Sequence, residues 1–314
     1  MSSEHVVGAA AAAGAGRRGG VGGTPFGMSR AQTLLVHAVL VLLCVPALLP
    51  MAWMVSTSLK ADEQIYASQN QAAKGAAAAA PFSVESLVPQ PVKWRNYPEA
   101  MTTVPFLTYL KNTLVLCLLT VVGVVLSSAI VAYGFARLAF RGRDVWFYVM
   151  ISTMALPGQV TMIPVFALFR ALGWYGTFLP LVVPAFFGAP FFIFLLTQFF
   201  KTLPGELAES ARVDGAREWT IFTRVILPLA KPALATVALF QFIGTWNDFF
   251  GPLLYLNDPG KYTLAYGLQQ FLSSYGGKWA QLMAAATVFT LPIILLFFFA
   301  QRTFIQGVAT TGGK

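Results

Sequence analysis

Charge is scarce in this chain: only 11% of its 314 residues are Asp, Glu, Lys or Arg, against about 25% in an ordinary soluble domain. Apolar residues make up 57%, more than the usual roughly 45–50% and more than a soluble core of this length absorbs. The bilayer is the solvent that fits. Cysteine is nearly absent. Cys44 and Cys117 both fall in apolar runs, with no Cys-x-x-Cys spacing and no neighbouring His, so a disulfide framework or thiolate metal site is excluded and two inert buried thiols are expected. His5 and His37 are the only histidines, and no paired-carboxylate or Ser–His constellation is visible; His37 reads as an interfacial or packed residue. Also missing are G-x-x-x-x-G-K-[ST] and a Rossmann glycine pattern in a strand–helix context, so no element here binds nucleotide. The net charge of +9 would suit nucleic acid, but the basic residues stand scattered at the ends of apolar runs. They form no continuous patch and read as topogenic charge, which excludes nucleic acid.

What is abundant is long apolar sequence. A spanning helix needs about 20 mostly apolar residues, and six segments qualify: Leu34–Ser56, Phe106–Ala136, Val145–Leu172, Phe178–Phe200, Ala233–Leu256 and Leu282–Phe304. The expected fold is therefore all-α, an integral membrane protein with six transmembrane helices. Pro157, Pro164, Pro184, Pro190, Pro252 and Pro292 lie within the third to sixth segments. Neighbouring helices in a bundle can re-satisfy the carbonyls that proline frees, so kinked spans are expected.

Orientation follows from Lys and Arg. With the N-terminus in the cytoplasm, the inside faces carry Arg17, Arg18, Arg30, Arg137, Arg141, Arg143, Lys201, Arg212, Arg217, Arg224, Lys231, Arg302 and Lys314. The outside carries only Lys60, Lys74, Lys93, Arg95, Lys111, Arg170, Lys261 and Lys278. Both termini are thus expected to be cytoplasmic. Residues 1–30 are Ala/Gly-rich and read as a disordered cytoplasmic tail, with Met28-Ser29-Arg30 an alternative start. A secretory signal peptide is the rival reading of this end. The apolar run is too long for a typical h-region and no A-x-A site follows it, which favours an uncleaved first helix. Residues 31–312 form the transmembrane domain. Within it, residues 59–105 make an extracytoplasmic loop, with a low-complexity centre (Lys74-Gly75, five alanines, Pro81) and a later part, Trp94-Arg95-Asn96-Tyr97, suited to a small folded cap or a partner surface.

The loop at 201–231 is the most informative stretch. It sets a polar, helix-forming insert between two long apolar segments, and such an insert suggests contact with a soluble partner. Thr202 and Pro204 make a plausible helix start, with Glu206 in the first turn favoured by the macrodipole. That helix is expected to run to about Val213. Asp214-Gly215 signals a turn in which Gly supplies an unusual backbone angle and Asp can cap the next helix. The second helix is expected from Ala216 to about Val225, ending at Pro228. Glu206 and Glu209 share a face, and Arg212 stands at pairing distance from Glu209. The alternative is an amphipathic helix lying on lipid headgroups, although five basic and four acidic residues between Lys201 and Lys231 make a weak lipid attractor.

Trp246-Asn247-Asp248 lies inside the fifth apolar segment. An ionisable residue at membrane depth is a functional candidate because leaving a charge in hydrocarbon costs several kcal/mol. Two readings stay open for Asp248: lining of a translocation path or gate, and capping of a re-entrant turn with Pro252. Lys111 is expected to snorkel to the headgroups. Phe186-Phe187 and Phe191-Phe192 read as lipid-facing or packing residues. Tyr262, Tyr266 and Tyr275, with Asp258-Pro259-Gly260, suit an exposed surface that meets another protein.

Glu209-Ser210-Ala211, three residues, Gly215, nine residues, Val225, one residue, then Leu227-Pro228 resembles the EAA loop of ATP-binding-cassette (ABC) importer permeases. Ser210 stands for Ala and Val225 for Ile, with the spacing intact. The resemblance extends to Thr263-Leu264 through Gly267, Trp279, Met283-Ala284-Ala285 and Gln301-Arg302-Phe304-Gly307, and is closest to the shorter, MalG-like permease of maltose-type sugar importers. It implies the type I importer fold and a coupling loop whose Glu206, Glu209, Ser210, Ala211, Asp214, Gly215, Leu227 and Pro228 dock on an ATPase. It also implies a MalF-like second permease, two ATPase subunits that carry ATP and Mg, an extracytoplasmic sugar-binding protein and membrane lipid as partners. On this reading the chain binds no cofactor, catalyses nothing and carries an oligosaccharide of the maltose or trehalose class across a bacterial cell membrane. The rivals are an ion-coupled secondary carrier of a small polar solute, for which Asp248 is the sole acid in any span, and a membrane-embedded enzyme, for which no acid, base or metal constellation is visible.

Overall fold

The computed structural model describes residues 29–66, 87–273 and 277–309. Residues 1–28 of the expected tail at 1–30, the alanine-rich stretch with Lys74, Gly75 and Pro81, Tyr275 and Lys314 lie outside the described residues, as do the side chains of Gln301, Arg302 and Phe304. Among the described residues every element is helical. The chain divides into two compact units, Met1–Trp53 and Met54–Lys314.

The first unit consists, as described, of most of helix α1 (Arg30–Ser58). It opens with a capping box: Ser29 Oγ accepts from the Gln32 N–H at 3.3 Å and Gln32 Oε1 accepts from the Ser29 N–H at 3.0 Å. His37 Nδ1 lies 2.7 Å from the Thr33 carbonyl one turn back, which settles the ring within its own helix. Cys44 is exposed, against expectation. A helix that is apolar all round has no single face to bury.

In the second unit, α2 (Asn96–Thr103) follows the outer loop and α3 (Phe106–Arg137) is the 32-residue axis of the fold. After α3 come α4 (Arg143–Thr153), α5 (Gly158–Ala171), α6 (Leu179–Val182, continuing as a 3-10 turn over Val183–Phe187) and α7 (Pro190–Thr202). Then follow α8 (Glu206–Val213), α9 (Glu218–Leu229), α10 (Lys231–Trp246), α11 (Phe250–Tyr255), α12 (Leu264–Ser273) and α13 (Trp279–Ala309). Among the described residues four helices are long and apolar enough to cross a membrane, Ala31–Ser58, Phe106–Arg137, Leu179–Thr202 and Trp279–Phe299, and up to six if each of two bent pairs counts as one span.

The expected run Val145–Leu172, in which kinks are expected, is bent by 96° between α4 and α5. Pro157 is the cause: it has no N–H to continue α4, and it stands in extended backbone just before α5 begins. The expected run Ala233–Leu256 is likewise two helices, with Asn247–Phe249 between them.

Two clusters of buried side chains share α3. One gathers Val124, Ala129, Ala132 and Tyr133 with Leu196 and Phe200 of α7, Ala208 of α8, Ile221, Phe222 and Ile226 of α9 and Val237 of α10. The other gathers Phe106, Tyr109 and Cys117 with Ala100 of α2, Trp246 of α10, Phe271 of α12 and Ala284 of α13. Buried hydroxyls on α3 satisfy themselves one turn back, Thr113 on the Tyr109 carbonyl and Thr120 on the Leu116 carbonyl, each at 2.8 Å.

Part of the outer loop is a folded cap, as Trp94–Tyr97 suggested. Buried Asn96 donates to the Ser58 and Lys60 carbonyls, both at 2.8 Å, and the Tyr97 and Ser58 hydroxyls meet at 2.8 Å. Tyr262 and Tyr266 are half-buried and not exposed as expected, because their rings pack edge-to-face at 4.3 Å and Tyr262 also meets Tyr109. At the same place a Cβ on Gly267 would lie 2.5 Å from the Tyr109 ring. Gly267→Ala is therefore expected to cost about 1–3 kcal/mol through overpacking. A lowered thermal midpoint of the purified protein in detergent checks it, and an unchanged midpoint would mean that the ring yields.

Candidate functional site

The 201–231 loop folds as a two-helix knob built by local rules. Helix α8 ends in a Schellman motif: the Ala216 N–H reaches the Ala211 carbonyl at 2.9 Å and the Gly215 N–H reaches the Arg212 carbonyl at 3.0 Å. That closure requires a left-handed residue, and Gly215 supplies it with φ +80°. Ala211 and Ala216, the small pair that this motif brings together, both pack against the buried cluster beneath, as does buried Ala208. This accounts physically for Ala211 and Gly215 at a spacing of four.

The other face of the knob is open. Glu206, Glu209, Ser210, Asp214 and Gly215 are exposed, and Val213 (88% exposed) and Trp219 (63%) hold large apolar groups in solvent beside them. Pro228 is exposed and Leu227 packs partly on the core. An anchored apolar floor under an exposed rim of mixed charge and apolar tips has the character of a protein contact.

Four local expectations are corrected. Thr202 does not start α8: it ends α7, with its hydroxyl on the Phe199 carbonyl at 2.7 Å, and Gly205 precedes α8. Asp214 caps no following helix, since it closes α8 while Arg217 stands before α9. The second helix starts at Glu218, not Ala216, and runs past Val225 and through Pro228 to Leu229. A π turn over Phe222–Ile226 makes this possible. The Leu227 N–H bonds five residues back to the Phe222 carbonyl, and the widened turn accommodates the missing donor of Pro228. The bend, 78°, falls instead between Leu229 and Lys231. Arg212, finally, does not pair with Glu209: its Nε donates to Glu218 Oε1 at 2.7 Å across the Gly215 turn.

Glu218 also accepts a hydrogen bond from the Tyr133 hydroxyl of α3 at 2.6 Å, on Oε2. The bonds from Arg212 and then Tyr133 hold this carboxyl below its ordinary range. A depressed folded-state pKa means that the contribution is complete above the ordinary carboxylate value of about 4.3 and is lost as pH falls below it. Amide exchange in residues 206–221 is thus expected to keep the same protection from pH 6 to 8, after correction for intrinsic rates, and protection that falls across that window would contradict it. Arg137, one turn further along α3, donates through Nη2 to the Phe200 and Leu203 carbonyls, both at 2.6 Å, closing the end of α7. Sequence reasoning missed Glu218, Tyr133 and the capping role of Arg137, because partners separated by 63 to 85 positions leave no local signal.

The Trp246-Asn247-Asp248 group is split by the fold. Trp246 is buried, stacked on Phe242 and Phe289 at 5.5 Å each, with its Nε1–H on the Phe289 carbonyl. Asn247 is exposed and donates to the Ile243 carbonyl at 2.8 Å. Asp248 does two things at once. Its Oδ1 accepts from the Gly251 N–H at 2.9 Å, capping α11, and the residue lines a cavity of about 360 Å³ between α3, the α6 segment and α10. Thr120, Gln241, Thr245 and Thr263 add polar groups to the wall. There the Thr120 and Thr245 hydroxyls meet at 2.9 Å, and Gln241 Nε2 donates to Thr245 at 2.9 Å.

The family described as binding-protein-dependent transport system inner membrane component matches residues 123–310. The diacetylchitobiose uptake system permease protein NgcG of Streptomyces coelicolor is 32% identical over 278 residues, covering 87% of this chain and 86% of that one. The maltose/maltodextrin permease MalG of Escherichia coli is 29% identical over 304 residues, covering 91% and 97%. A chain in the crystal structure of a bacterial ABC transporter importing the acidic polysaccharide alginate superposes with a TM-score of 0.71 at 26% identity, covering 89% of this chain and 99% of that one. The chain belongs to the binding-protein-dependent transport system inner membrane components, as an ABC permease of the carbohydrate-uptake kind.

Proposed function

We propose that this chain is one of two permeases in an ATP-driven importer of an oligosaccharide of the maltose or trehalose class. It pairs with a MalF-like permease and receives sugar from an extracytoplasmic binding protein. The 201–231 knob, with both termini, faces the cytoplasm and docks on an ATPase subunit, one of two that carry ATP and Mg. This chain itself binds no cofactor and makes or breaks no bond. The single observation behind the reading is the knob: Ala208, Ala211 and Ala216 root it in the helix core while Glu206, Glu209, Ser210, Asp214 and Val213 stand exposed on its other side. The cavity at Asp248 supplies hydroxyl, amide and carboxylate groups of the kind that sugar hydroxyls bond, and so supports a place on the translocation path.

Reconstitution tests the reading. Vesicles holding both permeases and the ATPase should take up oligosaccharide only with ATP inside and the binding protein outside. Uptake driven by a proton or sodium gradient without the ATPase would replace it with the ion-coupled carrier.

A further inference from the structure

The knob rests on the helices through apolar contacts, which can slide, and through polar connections that have a fixed geometry. Glu218 sits between Arg212 of α8 and Tyr133 of α3, at 2.7 and 2.6 Å. Tyr133 is buried and its ring lies 5.0 Å from that of Phe222 on α9. One turn further along α3, Arg137 holds the carbonyls of Phe200 and Leu203, where the chain enters the knob. The last turns of α3 thus grip the knob at its entry and at its second helix. Charge-assisted bonds of this kind are short and roughly twice as strong as neutral ones.

The same α3 supplies Leu116, Thr120 and Val124 to the wall of the cavity at Asp248. Thr120 and Tyr133 belong to one uninterrupted helix, about 20 Å apart at 1.5 Å per residue. We infer that Glu218 is a positioning residue for transport: it joins both knob helices to α3, so that a displacement of the docked knob is delivered to the cavity wall. This rests on the docking reading above. It adds which spanning helix receives the motion and which side chain transmits it.

Tyr133→Phe isolates the idea, because it removes one hydroxyl and leaves the Arg212–Glu218 pair and the ring packing in place. In the reconstituted importer, sugar delivered per ATP hydrolysed is expected to fall at least about fivefold, the lower end of ordinary coupling energies. Co-purification of the ATPase should stay at the level of the unaltered chain. Glu218→Gln, which weakens both bonds at nearly constant size, should lower the same ratio and serves if Tyr133→Phe assembles poorly. An unchanged ratio in both variants would overturn the inference, and so would a fall in ATPase co-purification that matches the fall in uptake, since the residue would then only build the knob. Gly215→Pro run alongside keeps the two readings apart: if it retains both the ATPase and normal uptake, the docking reading is lost, whereas loss of the ATPase there with a normal ratio in both Tyr133→Phe and Glu218→Gln removes Glu218 alone.

Discussion

Gly215→Pro is expected to reduce uptake to background while the chain still inserts and its spanning helices still pack. Proline holds φ near −65° and has no N–H, but position 215 stands at +80° and its N–H closes the end of α8 on the Arg212 carbonyl. Both halves of the Schellman closure are lost together, and the angle between α8 and α9 goes with them. The damage stays local because Leu196, Phe200 and Val237 hold the helices beneath without help from the turn. Glu209→Lys complements it at an exposed position, where the fold loses little and the rim reverses one charge. The two variants are compared by membrane-fraction yield, ATPase co-purification and ATP-dependent uptake. Undiminished co-purification with normal uptake in both would end the docking role for this knob.

The second large effect is expected at Asp248. Asp248→Leu leaves the Gly251 N–H of α11 without its acceptor and puts an isobutyl group into a polar cavity. An unsatisfied buried donor costs about 1–3 kcal/mol, so assembled complex and uptake are both expected to drop, by roughly thirtyfold for the middle of that range. Asp248→Asn keeps a carbonyl oxygen for the cap and nearly the same volume, so the complex should assemble at normal levels. Its uptake then separates the two functions of the residue. A fall in uptake with binding-protein stimulation of the ATPase retained assigns the charge to the translocation path, whereas preserved uptake assigns Asp248 to the cap alone. Normal uptake in Asp248→Leu would refute both.

Legibility divided along the range of the interactions. The turn at Asp214-Gly215 and the end of α8 at Val213 were readable from a dozen consecutive residues, because a Schellman closure involves only its own helix end. The membrane character followed from windows of about 20 residues, since hydrocarbon thickness sets that length and nothing distant alters it. The bend at Pro157 was half legible: proline marks where a donor is missing, but whether the chain bends there depends on neighbours. Pro164 and Pro292 lie within unbroken helices, whereas Pro157 stands at a 96° turn. At Pro228 the reading went wrong because a π turn, which no composition signals, accommodated the lost donor upstream.

Sequence alone therefore determined the solvent of this protein, its helical class and the position and turn of its knob, all set by chemistry within one or two helical turns or by the thickness of a bilayer. Tertiary structure decided the rest. It chose Glu218 over Glu209 as the partner of Arg212, turned Trp246 into the core while leaving Asp248 on a cavity, and set Arg137 on the end of α7. Each of these outcomes depends on which helices come to lie side by side. Helix packing minimises apolar exposure and unpaired polar groups over the whole bundle at once, a condition that no local window of sequence contains.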